Sequence, residues 1–463
     1  MAPLLMAIDL LSLLQQRSGG VWLASGGGDR FEQLFWKSRK ELQTRSGQEE
    51  SIRIALAERD SDRFLARFAA AHTSNCQVFL CNPGWGDREW SQMQEIVQPH
   101  WIWGECQLEV AIESRAVGTD LPGNAIAIPT GGTSGQLKFA MHTWSGLSSA
   151  AIGFQQHFGV SQVNSVCTLP LFHVSGLMQF VRSLLTGGQL AIASSSDFLG
   201  GNCLDLDPEG WFISLVPTQL QRSLSHPDLV RWLSRCRAVL LGGAPAWPQL
   251  LSRARSLNLP LAPTYGTTET AAQVATLKPA DFLAGQQGCA QILPHVQLSI
   301  LDEDDRPLPP NRPGRIAIAS PCLALGYYPD RFQPDRLWSP QDIGYLDGDG
   351  YLHVLGRSSD TILSGGENVY PLEVEAALRA TGRVRDVAVT GVADAEWGEA
   401  IAAICVLADR TADWHSLKMA LDGQLAHYKH PRRWLAVAEL PRNNRGKLDR
   451  RQLQALARNA RPL

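Results

Sequence analysis

The sequence lacks any cysteine pattern typical of a disulfide framework or of a structural zinc site. Its nine cysteines are scattered along 463 residues, with no Cys-x-x-Cys pair and no Cys/His cluster at zinc-ligand spacing. Cys76 and Cys81 lie in one apolar stretch, where a free cysteine typically behaves as a small buried hydrophobe. The cysteines indicate ordinary thiols, and we expect a protein of the reducing cytoplasm.

Long apolar runs and a strong net charge are also missing. No uninterrupted apolar run reaches the roughly 18 residues of a membrane-spanning helix, so we expect no membrane insertion. The apolar N-terminus has no basic residue ahead of it and is interrupted by Asp9, which makes it a poor signal peptide. A formal net charge of -3 argues against nucleic acid as a partner, because binding of a polyanion usually needs a basic face.

What the chain does have is enough length, and enough apolar residues, for a large domain and a smaller one. It has 463 residues, of which 44% are hydrophobic and 19% charged. Short apolar runs at residues 78–81 and 125–128 suit buried strands of a mostly parallel sheet, and the amphipathic residues 61–71 suit a helix. This alternation predicts an α/β fold of layered sheets and helices.

The sequence changes character in the polar stretch at residues 357–360. Beyond it, residues 371–378 predict a helix with Pro371 in its first turn and acidic residues close behind, while residues 387–392 and 401–407 are strand-like. We therefore expect a large N-terminal domain over residues 1–357 and a small α+β C-terminal domain over residues 358–463. Residues 1–115 carry no chemical signature.

The clearest chemical segment is a loop of small and hydroxyl residues that follows a strand-like run and ends in a lysine, Thr130-Gly-Gly-Thr-Ser-Gly-Gln-Leu-Lys138. Small residues let the backbone approach a phosphate chain, N–H and hydroxyl groups donate to its oxygens, and Lys138 supplies a charge. The loop lacks the Gly-Lys-Ser/Thr of a nucleotide-triphosphatase P-loop and the GxGxxG of a dinucleotide site. By itself, such a loop is often only a flexible turn.

Further polar segments follow in a fixed order. The first is Pro263-Thr-Tyr-Gly-Thr-Thr-Glu-Thr270, in which a glutamate beside hydroxyls is suited to Mg²⁺, an ion that prefers hard oxygen ligands. Next comes Asp342-Ile-Gly-Tyr-Leu-Asp-Gly-Asp-Gly-Tyr351, whose Asp-Gly-Asp-Gly is by itself typical of a hairpin turn. Gly356-Arg357, Gly365-Gly-Glu-Asn368 and Asn444-Arg-Gly-Lys447 complete the series.

These segments, in this order, resemble the adenylate-forming superfamily of acyl-CoA synthetases, luciferases and peptide-synthetase adenylation domains. The resemblance runs from about residue 125 to residue 450. It implies a mobile small C-terminal domain. It also implies Mg²⁺ as the cofactor and ATP and CoA as the co-substrates. The residues that it assigns to ATP or AMP are Thr130, Gly131, Gly132, Thr133, Ser134, Gly135, Lys138, Gly243, Ala244, Pro245, Tyr265, Gly266, Thr267, Asp342 and Arg357.

The resemblance also implies roles for individual residues. Tyr265 would stack on adenine, Asp342 would accept hydrogen bonds from the ribose hydroxyls, and Arg357 would lie beside the ribose and the phosphates. The implied catalytic residues are Thr268 at the α-phosphate, Glu269 as the Mg²⁺ ligand, and Lys447, which would reach from the small domain to the carboxylate and α-phosphate.

The phosphate loop departs from the family pattern at three positions. Gly131 replaces a serine and loses a hydroxyl donor, Ser134 replaces a threonine and keeps its own, and Leu137 replaces a proline and adds a backbone N–H. We expect a weaker or more flexible grip on pyrophosphate in an active enzyme.

For the CoA-dependent half-reaction, the resemblance implies rotation of the small domain about a hinge at Ser359. Many members have Asp or Lys at this position, so we expect the adjacent Asp360 to share the role. Gly365 and Gly366 belong to the segment that would then face the acyl-adenylate and line a pantetheine tunnel.

Four stretches resemble the branch of the superfamily that acts on 2-succinylbenzoate in menaquinone or phylloquinone biosynthesis. They are Leu169-Pro-Leu-Phe-His-Val-Ser-Gly176, Ser214-Leu-Val-Pro-Thr-Gln-Leu-Gln-Arg222, Tyr265-Gly-Thr-Thr-Glu-Thr-Ala-Ala-Gln273 and Gly365-Gly-Glu-Asn-Val-Tyr-Pro371. The last is shared with many aryl- and acyl-CoA ligases.

The substrate of that branch has two carboxylates, and the one that is not activated needs a charged partner. Arg222 is a candidate, because a guanidinium binds a carboxylate bidentately; the alternative is a surface arginine on a helix. The resemblance places His173 at the border of the acyl pocket, against the alternative of a packing role. Thr270 and Gln273 are expected to complete the pocket wall.

Three alternatives share these features. One is another aryl- or acyl-CoA ligase of the superfamily, and another is a stand-alone adenylation enzyme that loads a carrier protein. A catalytically silent nucleotide-binding relative is the third, and the joint presence of Lys447, Glu269, Asp342 and Arg357 argues against it. The expected partners are a small carboxylic acid, ATP and CoA, and the sequence leaves a homo-oligomer open.

Overall fold

The computed structural model describes residues 9–20, 22–24, 27–45, 52–104, 122–131, 136–202, 204–286, 291–333, 337–409, 414–422, 424–442 and 448–462. The α-helices are α1 (Leu10–Gln16), α2 (Gly28–Arg45), α3 (Ser61–Thr73), α4 (Asp87–Val97), α5 (Trp144–Phe158), α6 (Val174–Leu185), α7 (Ser195–Leu199), α8 (Pro217–Ser223), α9 (Pro227–Ser234), α10 (Pro248–Ser256), α11 (Pro279–Leu283), α12 (Pro371–Ala380), α13 (Trp414–Met419) and α14 (Arg450–Ala457). Two short 3₁₀ helices are η1 (Ser358–Asp360) and η2 (His427–Lys429).

The strands form four sheets. They are β1 (Arg53–Ala57), β2 (Gln77–Leu80), β3 (Trp101–Gly104), β4 (Ile126–Gly131), β5 (Leu137–His142), β6 (Asn164–Cys167), β7 (Leu190–Ile192), β8 (Trp211–Leu215), β9 (Ala238–Leu241), β10 (Leu261–Thr267), β11 (Ala272–Thr276), β12 (Gln291–Ile292), β13 (Gln297–Leu301), β14 (Gly314–Ala319), β15 (Asp342–Leu346), β16 (Leu352–Arg357), β17 (Ile362–Ser364), β18 (Glu367–Val369), β19 (Val384–Asp394), β20 (Gly398–Leu407), β21 (Arg433–Ala436) and β22 (Arg461–Pro462).

The first sheet has the order β3-β1-β2-β4-β5 and is parallel except for the β4–β5 hairpin. Its strands β1 and β2 are buried on both faces, which explains why they are nearly continuous apolar runs in the sequence. On one face Ile54 and Val78 pack with Phe64 of α3, and on the other Ala55 and Phe79 join a separate core cluster. The strands expected at residues 78–81 and 125–128 and the helix expected at residues 61–71 are confirmed as β2, β4 and α3.

The second sheet has the order β12-β11-β10-β9-β8-β6-β7, parallel from β7 to β10 and closed by an antiparallel β10–β11 hairpin. Because the carboxyl ends of parallel strands lie at one edge of a sheet, the segments that leave β9 and β10 emerge beside each other. An added Cβ at Gly242, which follows β9, would lie 3.4 Å from Thr264 Oγ1 in β10. This edge carries the predicted adenine segments.

The third sheet is antiparallel, in the order β13-β14-β15-β16. The turn at residues 347–350 joins β15 to β16, which confirms the hairpin that Asp-Gly-Asp-Gly indicates. The Asp347 carboxylate accepts hydrogen bonds from the N–H groups of Asp349 and Tyr351, at 3.1 and 2.8 Å, and fixes the turn. The hairpin places Asp342 opposite Arg357.

The C-terminal part forms its own sheet around β17–β22, covered by α12 and α14, with two core clusters drawn from residues 362–460. The predicted helix is α12, with Pro371 at its first turn and Glu373 beside it, and the two predicted strands are β19 and β20. A large α/β part and a small α+β part are confirmed, and the boundary between residues 357 and 358 stays a prediction.

Two further observations bear on the sequence-based expectations. The cysteines for which the structure gives an environment are buried, Cys76 and Cys81 among them. Within the described ranges, no helix combines the length and the apolar character needed to cross a membrane.

Candidate active site

A tyrosine, a carboxylate and an arginine from different strands meet at the edge of the second and third sheets. The Tyr265 hydroxyl of β10 donates to Asp342 Oδ2 of β15 at 2.6 Å. Arg357 Nε at the end of β16 lies 3.6 Å from Asp342 Oδ1, and about half of the Arg357 side chain is exposed. Burial raises the pKa of Asp342, and the Tyr265 hydroxyl and the Arg357 charge oppose that rise. The structure thus brings together the three residues expected at adenosine.

A second buried carboxylate, Glu269, lies in the turn after β10. The Tyr327 hydroxyl donates to Glu269 Oε1 at 2.6 Å, and the Glu269 side chain is buried. Burial first, and then the Glu269 charge, raise the pKa of Tyr327, so its hydroxyl stays a donor at neutral pH. Lys138 Nζ lies 5.1 Å from the centre of the Tyr327 ring. Tyr327 therefore connects the predicted Mg²⁺ ligand with the last residue of the phosphate loop.

The turn that carries Thr268 and Glu269 is held by hydrogen bonds to its backbone. Thr270 Oγ1 accepts from Thr267 N at 2.9 Å and donates to the Ala272 carbonyl at 2.8 Å. His142 Nε2 lies 2.9 Å from the Thr268 carbonyl. Burial lowers the pKa of His142 to about 4, so this imidazole is neutral at neutral pH and Nε2–H is the donor. The Thr270 hydroxyl, expected in the acyl-pocket wall, makes its hydrogen bonds within its own turn.

Gly266 lies where the β10 and β11 backbones approach most closely, beside a bulge between Tyr265 and Gly266. A Cβ at Gly266 would fall 1.7 Å from the Ala272 carbonyl oxygen and 2.8 Å from Gln273 Cα, both backbone atoms. Backbone atoms cannot rotate away as the end of a flexible side chain can. The position of Tyr265 therefore depends on a glycine after it.

We predict that Gly266→Ala lowers the unfolding temperature and weakens ATP binding, because the hairpin must separate and Tyr265 must move. Overpacking of this kind costs about 1–3 kcal/mol of unfolding free energy. Thermal unfolding and calorimetric ATP titration would measure both effects. Gly348→Ala is the matched control, since an added Cβ there meets nothing within 4 Å. Equal behaviour of the two variants would contradict the prediction.

The segment after β9 is an exposed turn at the same edge. Gly243 has a left-handed φ of +80°, and Gly243, Ala244 and Pro245 are exposed. Their backbone groups are therefore accessible to a ligand that lies against β10. This placement agrees with the adenine-binding role implied by the family resemblance, which stays a prediction.

The phosphate loop is described at its two ends only. Thr130 pairs with Lys138 and Gly131 with Leu137 in the β4–β5 hairpin, whereas Gly132, Thr133, Ser134 and Gly135 lie outside the described residues. The Leu137 N–H, which the family's proline would lack, donates to Gln92 Oε1 of α4 at 3.1 Å. The backbone N–H that Leu137 adds is thus already used by a side chain in this structure.

Lys447 also lies outside the described residues, but the expected hinge does not. Ser359 and Asp360 form η1, and Asp360 Oδ2 lies 2.7 Å from Arg450 Nη2 at the start of α14. Gly365 and Gly366 form the tight turn between β17 and β18, with φ values of +62° and +84°. The left-handed backbone at these two positions of the turn favours glycine.

The residues expected around the acyl group are spread over three elements. His173 precedes α6 as its N-cap residue, and its ring centre lies 4.5 Å from that of Phe172. Gln273 in β11 is buried. Arg222 lies exposed near the end of α8. The structure therefore places Gln273 within the protein and Arg222 at its surface.

Arg182, which the sequence-based argument missed, is a buried arginine on α6. Arg182 Nη2 donates to Gln273 Oε1 at 2.7 Å, and its guanidinium lies 4.1 Å from the centre of the Phe154 ring. Its side chain pairs with no carboxylate in the described part of the chain, and Arg182 Nε has no hydrogen-bond partner there. Burial lowers the pKa of Arg182 to about 9, which still leaves it charged at neutral pH. The signal available in the sequence was a single charged residue, Arg182, among the mostly apolar residues of α6.

His295 is a partly buried basic side chain that the sequence did not reveal, and its protonation state bears on the charge beside Arg182. Burial first, and then the positive charge of Arg182, lower the pKa of His295 to about 4. His295 is therefore neutral at neutral pH and Arg182 is the cation of this region. A buried cation without an anion is costly unless a ligand supplies one.

Comparison with known proteins agrees with this site. Residues 119–328 match the model of the AMP-binding enzymes, and residues 373–447 match that of the AMP-binding enzyme C-terminal domain. The chain belongs to the AMP-binding enzyme family, which confirms the superfamily that the motifs indicate. A 2-succinylbenzoate–CoA ligase of Geobacillus kaustophilus is 35% identical over 347 residues, which cover 73% of this chain and 70% of that protein. A 2-succinylbenzoate–CoA ligase of Enterococcus faecalis is 32% identical over 347 residues, covering 74% and 71%.

Solved structures show the same fold. The o-succinylbenzoate CoA synthetase of Bacillus subtilis, in complex with its acyl-adenylate intermediate, has a TM-score of 0.78 at 26% identity and covers 92% of both chains. The same enzyme with ATP and a magnesium ion has a TM-score of 0.75 at 26% identity, covering 91% of this chain and 93% of that one. ATP-bound MatB of Rhodopseudomonas palustris, 23% identical, has a TM-score of 0.81 and covers 96% and 98%.

Proposed function

We propose that this protein is an ATP-dependent acid–CoA ligase that converts 2-succinylbenzoate into 2-succinylbenzoyl-CoA, with AMP and pyrophosphate as the other products. The observation that carries the proposal is the meeting of Tyr265, Asp342 and Arg357 beside the buried Glu269, in a chain related to 2-succinylbenzoate–CoA ligases at up to 35% identity. The reaction belongs to menaquinone or phylloquinone biosynthesis, and we place it in the cytoplasm.

The first half-reaction activates the acid. A carboxylate is a poor electrophile, so one of its oxygens attacks the α-phosphorus of ATP, the bond to pyrophosphate breaks, and an acyl-adenylate forms. No general base is needed, because the nucleophile is already an anion. The negative charge of the in-line transition state must be stabilised instead, which is the role of Lys138, Arg357 and Lys447 and of the loop N–H groups.

Glu269 fits the role of Mg²⁺ ligand. It is a buried carboxylate that accepts a hydrogen bond from the neutral Tyr327 hydroxyl, and no Lys or Arg forms an ion pair with it in the described ranges. An ionised carboxylate in such a place needs a cation, and Mg²⁺ prefers carboxylate oxygens shared with substrate phosphates. When bound, the ion would neutralise charge on the phosphates of ATP.

Asp342, Tyr265 and Arg357 are proposed to hold the nucleoside. Asp342 would accept hydrogen bonds from the ribose hydroxyls, while the Tyr265 hydroxyl keeps its carboxylate oriented. The Tyr265 ring would stack on adenine. Arg357 is half-exposed, so its guanidinium can turn from Asp342 towards a phosphate without breaking a buried pair.

The second half-reaction transfers the acyl group to sulfur. The CoA thiolate attacks the acyl carbon, the bond to AMP breaks, and the thioester forms. We propose that the C-terminal part rotates about Ser359 and Asp360 between the two steps and brings Gly365 and Gly366 to the site. Asp360 is paired with Arg450 of the same C-terminal part, so this ion pair can move as a unit during the rotation.

Arg182 is the proposed partner of the carboxylate that is not activated. Its charge is buried beside Gln273, and a dicarboxylate would supply the missing anion. Arg222, the candidate from the sequence, is exposed on α8 and would pair with a substrate carboxylate in water, where such a pair contributes little. His173 and Gln273 remain proposed contacts of the acyl group.

The test is CoA- and ATP-dependent AMP release with 2-succinylbenzoate beside benzoate, 4-hydroxybenzoate, octanoate and cinnamate. Turnover confined to 2-succinylbenzoate is the expected result. Preference for another acid would keep the ligase reaction and overturn the substrate. Pyrophosphate release with the acid but no transfer to CoA would favour the alternative enzyme that loads a carrier protein.

A further inference from the structure

Two histidines and an aspartate converge in the C-terminal part, and none of the three has been assigned a role above. Asp422 follows α13, His427 begins η2, and His430 comes directly after η2. His427 Nδ1 and His430 Nδ1 each lie 3.8 Å from Asp422 Oδ1. Among the described residues, this is the one group of three or more His, Cys, Asp or Glu side chains with ligand atoms within 4.8 Å of one another.

The spacing suits a shared ion better than direct hydrogen bonds. At 3.8 Å the imidazole nitrogens are too far from Asp422 Oδ1 for a normal hydrogen bond. Ligand atoms around a tetrahedral zinc ion, with bonds of about 2.0–2.1 Å, lie about 3.3 Å apart. A contraction of about half an ångström would therefore bring each imidazole nitrogen and Asp422 Oδ1 to the spacing of two zinc ligands.

The His430 ring is already oriented for coordination. Its Nε2 lies 3.1 Å from the Leu425 carbonyl, which can only accept, so Nε2 carries the proton and Nδ1 presents a lone pair towards Asp422. A hydrogen bond from the far nitrogen to a carbonyl is the arrangement that fixes histidine ligands in metal sites. His430 is 5% exposed, so the ring has little freedom to turn away.

We propose that Asp422, His427 and His430 form a site for Zn²⁺ or a similar divalent transition ion, with water in the fourth position. Two imidazoles and one carboxylate favour Zn²⁺ over Mg²⁺, which prefers oxygen ligands alone. The site is therefore separate in chemistry from the Mg²⁺ proposed at Glu269.

Bound metal would stabilise the C-terminal part. It would join Asp422, at the end of one turn, to both ends of η2. Lys429 within η2 bonds the Glu373 carboxylate of α12 at 2.6 and 2.8 Å, so the cross-link would extend to the helix that follows the expected CoA-facing segment. A ligand that binds only the folded state raises its stability by mass action.

The test uses the full chain without a polyhistidine tag, freed of metal and titrated calorimetrically with zinc chloride in the absence of nucleotide. We expect one Zn²⁺ per chain and a higher unfolding temperature. His427→Gln should weaken the affinity at least tenfold, on the order of what is lost when a metal-site histidine is disturbed. The His427 side chain is 90% exposed, so this substitution should leave the fold of the metal-free protein intact.

His415→Gln, at an exposed histidine of α13 outside the cluster, is the matched control and should bind Zn²⁺ like the unmodified chain. Asp422→Asn gives an independent check and should weaken binding like His427→Gln. The proposal is overturned if the chain binds no stoichiometric Zn²⁺, or if His427→Gln and Asp422→Asn bind it as well as the control does. Millimolar magnesium chloride in place of zinc should change the unfolding temperatures of the metal-free His427→Gln and His415→Gln chains by the same amount.

Discussion

Glu269→Gln should slow acyl-adenylate formation by about 10²–10³-fold, the usual loss when one group that stabilises transition-state charge is removed. The substitution keeps the shape of the side chain and an oxygen that accepts from Tyr327, but it removes the charge that would hold Mg²⁺. The rate of ATP–pyrophosphate exchange, measured over a range of magnesium concentrations, is the direct measurement. We expect the magnesium concentration for half-maximal rate to rise as well.

Tyr327→Phe is the control for this prediction, since it removes the hydroxyl and leaves the carboxylate. It should reduce the rate less than Glu269→Gln does, because it removes one hydrogen bond to the carboxylate and leaves the charge in place. The Glu269→Gln protein should unfold at the same or a higher temperature, because a buried charge without a cation destabilises the folded state. If Glu269→Gln exchanges ATP and pyrophosphate as fast as the unmodified chain at the same magnesium concentrations, Glu269 has no role in the mechanism.

Arg182→Met should lower kcat/KM for 2-succinylbenzoate by about 10²-fold, since truncating one partner of a buried charge pair is costly to the complex. Methionine has a similar length and keeps the contact with Phe154. The turnover of benzoate, which has no second carboxylate, should change little. The measurement is steady-state AMP release with both acids for each variant.

A purely structural role for Arg182 predicts something else: loss of stability and an equal loss with both acids. We expect the unfolding temperature of Arg182→Met to stay the same or rise, because the substitution removes a buried cation that has no carboxylate partner in the described part of the chain. Arg222→Ala is the comparator. A dicarboxylate-selective effect in Arg222→Ala but not in Arg182→Met would transfer the role to Arg222.

The local motifs allowed much of the site to be predicted. Tyr265 and Glu269 were identified within one short segment, and Asp342 and Arg357 in two segments that follow each other, because strand and turn residues are continuous in the chain. Gly266 was assigned to adenine from the resemblance, and the structure adds a reason of its own: the Ala272 carbonyl leaves no room for a side chain. The Leu137 N–H shows the limit of such motifs, since its partner, Gln92, lies 45 residues earlier in the chain.

The sequence by itself determined the α/β architecture, because strand and helix periodicity depends on neighbouring residues. Its ordered motifs, through their resemblance to known enzymes, indicated the family and the order of the proposed ATP-binding segments. Only the tertiary structure decided which side chains meet. Tyr327 reaches Glu269 across 58 positions, and Arg182 reaches Gln273 across 91. The physical reason is that burial and pairing depend on how helices pack on sheets. Arg182 is buried beside Gln273 only because α6 packs against β11.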